Sequence, residues 1–120
     1  MPNSAFINED YIIEQVYRGR QTFETVTKVA AKVMVLADKL QSGRKKVRIL
    51  VSIRRITGVS ADALLAASDA LITISKSKIA VYGGNKYLND LTNLVIAAVG
   101  RENSVMVFDR RKEAASWLKK

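Results

Sequence analysis

Ile79-Ala80-Val81-Tyr82-Gly83-Gly84-Asn85 is the stretch on which the reading of this chain turns. Its first four residues, half of them β-branched and one aromatic, suit a strand, and the glycine pair breaks it. Asn85 is a good N-cap, and Leu88, Leu91, Val95 and Ala98 then recur at helical spacing until Gly100 closes the helix. A strand, a tight turn and an amphipathic helix form half of a β-α-β unit. Working back, Val47–Ile53 is a short Val/Ile-rich run whose length and composition favour a buried strand. Thr57-Gly58-Val59 follows as a loop, and Ser60 caps a helix with expected inner positions Leu64, Ala67, Leu71 and Ile74. Working forward, Ser104–Phe108 reads as the last strand and Arg110–Lys119 as the last helix, with Trp117 and Leu118 to anchor it.

The N-terminal third obeys the same rules. Tyr11–Tyr17 is rich in β-branched and aromatic residues and is expected to end at Arg18-Gly19, while Ala5–Ile7 is placed to pair with it as a hairpin. Thr22 caps a helix in which Phe23, Val26, Ala30, Val33, Ala37 and Leu40 keep the helical repeat as far as Gly43. Alternating strands and helices need crossover connections, so the expected architecture is α/β: about five strands in a mixed, mostly parallel sheet, with an antiparallel N-terminal hairpin and four helices. No linker or repeat divides the chain, and residues 1–120 read as a single domain.

Composition narrows the chemistry. The 120 residues hold no cysteine and no histidine, which removes thiolate nucleophiles, the usual neutral-pH general base and the commonest transition-metal ligands. No enzyme, metal or cofactor is expected, since the carboxylates do not gather either: Glu9-Asp10 read as turn residues, and Glu24 and Asp38 as helix-surface polars. The longest aliphatic run, Leu94–Val99, is far below the roughly 20 residues of a membrane span, and Met1–Ser4 lacks a signal-peptide pattern, so a cytoplasmic address is expected. Twenty basic residues against eleven acidic ones give +9, in clusters at Arg44–Arg48, Arg54-Arg55, Lys76 and Lys78, Arg110–Lys112 and Lys119-Lys120.

Ile79–Asn85 with Leu88, Leu91, Asn93-Leu94 and Gly100-Arg101, together with Val107–Ala114 and Trp117-Leu118, resembles the small SpoIIAA-like proteins related to STAS domains. The resemblance implies a mixed sheet with helices and membership of a group that includes anti-sigma-factor antagonists, transporter regulatory domains and carriers of lipids or small ligands. In the antagonists, a serine or threonine at the start of the helix after the strand matching Val47–Ile53 is phosphorylated, where free amides and the helix dipole receive the phosphate. Here that stretch runs Thr57-Gly58-Val59-Ser60-Ala61-Asp62, with Asp62 at the position of the phosphorylated hydroxyl and Thr57 and Ser60 as neighbouring hydroxyls.

Three further groups are candidate sites. Gly83-Gly84-Asn85-Lys86, between a strand end and a helix start, is a position where amides and a cation hold an anion, and equally a plain turn. Val29, Val35 and Leu36 on the first helix, and Leu94, Ile96 and Val99 on the third, exceed what one inward stripe uses. They suggest self-association, a protein partner, or an apolar pocket for a small or lipid-like ligand. Lys45, Lys46 and Arg48 offer the alternative of a basic module that binds nucleic acid or an anionic membrane surface.

Overall fold

The computed structural model describes residues 2–120; Met1, with which the expectation about a leader begins, lies outside the described residues. Five strands form one sheet in the order of the sequence: β1 (Ser4–Ile7), β2 (Ile13–Gln21), β3 (Val47–Val59), β4 (Ser77–Tyr82) and β5 (Val105–Phe108). β1 runs antiparallel to β2, and every other pair is parallel. The helices are α1 (Phe23–Ser42), α2 (Ala61–Thr73), α3 (Lys86–Ala98) and α4 (Arg111–Leu118). Each parallel connection steps one strand in the same direction, and right-handed crossovers of that kind put their helices on one face. α1 and α3 accordingly share the main core with Ile13, Ile49, Val51, Ile79 and Val81, while α4 covers Ile12, Leu50 and Ala80 on the opposite face.

The caps form where the sequence places them. Thr22 and Thr25 make a reciprocal capping box, Ser60 Oγ accepts from Ala63 N, and Asn85 Oδ1 accepts from Leu88 N at 2.9 Å. At the end of α1 the left-handed residue is Arg44 (φ 60°), not Gly43 (φ −82°). The last helix is held by Leu118 and Ala114, both essentially inaccessible; Trp117 is half-buried, its ring 5.7 Å from that of Phe108. Arg111 starts this helix and pairs with Glu14 of β2 at 3.0 Å.

Two elements are longer than expected. β2 does not stop at Arg18-Gly19, and β3 does not stop at Ile53: they continue side by side, Arg18 opposite Arg55 and Gln21 opposite Val59, with register shifts around Tyr17 and Gly19. β4 leaves this ribbon after Tyr82, so Arg54 and Arg55 reach solvent and the segment looks like a loop in sequence. Phe23 is likewise exposed, because the residue after the cap points away from the sheet. α2 differs in depth. Its buried residues are Ala63 and Ala66, and the expected inner set of Leu64, Ala67, Leu71 and Ile74 is only half-buried. The helix packs against α1 and α3 rather than directly on the strands.

Candidate functional site

Because α2 stands off the sheet, an apolar chamber of about 150 Å³ lies beneath it. Its floor is Ile49, Val51, Ile53, Ile79 and Val81; its roof is Leu64, Ala67 and Leu71; Val33, Leu88 and Val95 close the sides. No Asp, Glu, Lys or Arg lines it. Its polar groups are mostly satisfied. Gln21 binds Asn3 Nδ2, Thr25 Oγ1 and Arg18 O, and Thr92 Oγ1 donates to Leu88 O at 2.7 Å. Tyr17 and Gln15 are the exceptions: the Tyr17 oxygen accepts from Gln15 Nε2 at 2.8 Å, and among the described residues neither the Tyr17 proton nor Gln15 Oε1 has a partner. Burial pushes this hydroxyl well above the ordinary tyrosine range, against the smaller lowering effect of the Gln15 amide, so it is a neutral donor at any physiological pH.

The six residues expected to form an apolar interaction face do not act as one set. Val29 and Ile96 are 4% and 3% exposed and belong to the core, which removes them from any surface. Leu36 packs against that core, and Val99, the C-cap of α3, is half-buried. Val35 and Leu94 do point outward, at 67% and 64% exposure. Leu65 (63%), Ile72 (60%) and Tyr87 (64%), which the sequence pattern does not single out, join them. Leu65 and Ile72 are seven residues apart on α2, as Tyr87 and Leu94 are on α3, so each pair shares one helix face.

The phosphate-related positions are occupied by local structure. Thr57 lies exposed within β3, and Ser60 is the N-cap of α2, its hydroxyl donating to the Asp62 carboxylate while accepting from Ala63 N. Asp62 already places a negative charge on the first turn. At Gly83-Gly84 the turn is shaped by packing on β3 rather than opened toward a ligand. Gly83 has φ 92°, and a Cβ there would stand 2.9 Å from Arg54 Cβ. A Cβ on Gly84 would stand 2.6 Å from Ile53 Cδ1. Asn85 spends its side chain on the cap, and Lys86 is turned to Asp90 at 2.8 Å, whose carboxylate raises its pKa.

Lys45, Lys46 and Arg48 lie at the N-terminal edge of β3, and the fold brings Lys76, Lys78, Lys119 and Lys120 to the same cleft. Those four come from sequence clusters 30 or more residues away from Lys45, and only the parallel pairing of β3 with β4 and the packing of α4 across them unite them. Among the described residues no group of three metal-ligating side chains gathers, and no helix is long and apolar enough to cross a membrane.

The sheet order, the antiparallel first strand, three helices on one face and a fourth on the other define the SpoIIAA-like fold. An uncharacterised protein of Shewanella loihica PV-4, of the DUF3478 family and with a SpoIIAA-like fold, superposes with a TM-score of 0.69 at 18% identity, covering 98% of this chain and 94% of that one. The unphosphorylated form of the anti-sigma factor antagonist SpoIIAA superposes with a TM-score of 0.60 at 10% identity, over 98% and 97% of the two chains. A candidate anti-sigma factor antagonist of Thermotoga maritima gives 0.61 at 16% identity, over 98% and 95%. No protein-family model and no curated protein matches the sequence.

Proposed function

We propose that this chain is a non-catalytic regulatory domain that acts by associating with a protein partner through the outer faces of α2 and α3. The observation that carries this reading is the set of large apolar side chains, Leu65, Ile72, Tyr87 and Leu94, each at least 60% exposed and paired along two neighbouring helices. Single exposed apolar residues are ordinary, but aligned pairs on adjacent helices are what a docking partner buries. The SpoIIAA-like fold supports the same reading, since one protein that shares it, SpoIIAA, is an anti-sigma factor antagonist. The test is Leu65→Gln with Ile72→Gln. Both side chains are exposed, so the thermal midpoint should stay within a few degrees while the protein captured by crosslinking in cells is lost. Capture that persists in the double variant, or a variant that no longer folds, sinks the proposal.

A second reading rests on the chamber. A cavity of this size is large enough for a compact apolar molecule of roughly benzene size, and Tyr17 supplies one hydrogen-bond donor within it. The ligand that fits is neutral and apolar with a single acceptor, because no cation lines the walls to offset a carboxylate. Native mass spectrometry of the protein purified from cells should show a retained small molecule in the parent chain. Tyr17→Phe should release it, and an unoccupied parent chain would remove this reading.

A further inference from the structure

Three of the basic clusters in this sequence become one surface in the fold, and they face a single cleft of about 580 Å³. Lys45, Lys46 and Arg48 enter it from the start of β3, Lys76 and Lys78 from the start of β4, and Lys119 and Lys120 from beyond α4. No Asp or Glu lines it. Among the described residues only Lys119 of this set is ion-paired, with Asp10 at 3.1 Å. The simplest purpose for cations here is to offset helix C-termini, since α1 to α4 all run back to this edge of the sheet. That purpose does not absorb them. Even with about half a negative charge for each of four helix ends and a full one for Asp10, roughly four positive charges remain.

Several of these groups are also held in place. Lys78 Nζ donates to Trp117 O at 2.8 Å and lies 4.2 Å from the centre of the Trp117 ring, and Lys45 Nζ lies 3.9 Å over the Tyr11 ring. One Arg48 Nη donates to Asp10 O at 3.1 Å, while its Nε is buried with no hydrogen-bond partner among the described residues. We propose that this cleft binds a compact ligand carrying two or more phosphate groups, either a soluble polyphosphate ester or the headgroup of a phosphorylated lipid. Its volume falls in the range of small-molecule sites, and its charge exceeds what one phosphate needs. Extended nucleic acid fits it less well, because no aromatic ring lines the cleft to stack a base, and the nearby Tyr11 and Trp117 rings each carry one of its lysines on a face.

The probe is sodium tripolyphosphate, titrated calorimetrically into the full chain at low salt. Saturable one-to-one binding is expected, weakening as ionic strength rises. Lys46→Gln with Lys76→Gln removes two unpaired cations of the cleft and should weaken binding roughly tenfold. Lys28→Gln with Lys32→Gln, exposed on α1 outside the cleft, removes the same charge and should leave binding within twofold. Thermal midpoints of both variants confirm that each is folded. Phosphatidylcholine vesicles with and without 5% phosphatidylinositol bisphosphate separate the sources: sedimentation competed by tripolyphosphate assigns a lipid headgroup, and tripolyphosphate binding without sedimentation assigns a soluble ligand. Absence of tripolyphosphate binding, equal loss in the α1 control, or binding of a 20-base-pair duplex that tripolyphosphate does not compete would each overturn the proposal.

Discussion

Gly84 shows how much of this fold can rest on one missing methyl group. The turn from β4 into α3 passes so close to β3 that a Cβ at this position would overlap Ile53 Cδ1 and come 2.7 Å from Asn89 Oδ1. Ile53 is buried and cannot move away freely, so Gly84→Ala should cost about 1–3 kcal/mol, the range for overpacking a well-filled site. Urea denaturation measures it, and an unchanged midpoint would show that the turn can retreat. Tyr17 makes a different contribution, one that depends on pH. Its folded-state pKa is raised above the unfolded value of about 10, so above that pH the unfolded chain releases a proton that the folded chain keeps. The unfolded state then binds fewer protons, and stability that is fully present below about pH 10 is lost as pH rises beyond it. Tyr17→Phe should flatten the alkaline limb of a plot of midpoint against pH between 9 and 11, while an identical limb in both proteins would place the tyrosine in contact with solvent.

Among the elements, α2 is fastened at its C-terminal end by a side chain from a later turn. Arg101, in the turn between α3 and β5, donates to Leu71 O and Ile74 O at the end of α2, to Ser77 O at the start of β4, and from Nε to Ser104 Oγ at 2.8 Å. It thereby satisfies carbonyls that a helix C-terminus leaves open. Arg101→Ala should lower stability by about 2 kcal/mol, the scale of losing charge-assisted bonds to partly buried carbonyls, and amide exchange should accelerate first in α2. Uniform acceleration across the sheet would mean that α2 is no weaker than the rest. Local grammar explains which elements were legible in the sequence. Thr22, Ser60 and Asn85 each announce a helix start because a cap is a short-range device, and the strand–helix alternation gives the topology. The second half of β3 was not legible, since Arg54-Arg55-Ile56-Thr57-Gly58 has no strand pattern of its own and is extended only because β2 runs beside it. Nor does periodicity reveal that α2 floats: Leu64, Ala67, Leu71 and Ile74 repeat correctly whether they meet a strand or a cavity. The candidate interaction face fared similarly, because a broad apolar stripe does not say which of its edges is covered. Val29 and Ile96 fell on the covered side, and Val35 and Leu94 on the open one.

For the molecule as a whole, two faces of one sheet are covered unequally, and the difference locates the chamber. The face under α4 is closed by small residues, Ala80 against Ala114, with Leu50 and Leu118 beside them, and α4 sits tight on the strands. On the other face three helices span five strands, and the middle one is carried by its neighbours, which leaves the chamber. Ala67 lines the roof and is half-buried, so Ala67→Leu would extend three carbon atoms into the space. The expected result is a gain of about 1 kcal/mol, read as a rise of roughly 4 °C in the thermal midpoint of a domain of this size. The same variant should lose the additional stabilisation that an apolar probe such as benzyl alcohol gives the parent chain, because leucine and probe compete for one volume. A lower midpoint would show that α2 already rests on its neighbours with no room beneath it, and a midpoint raised without loss of the probe effect would place the probe elsewhere.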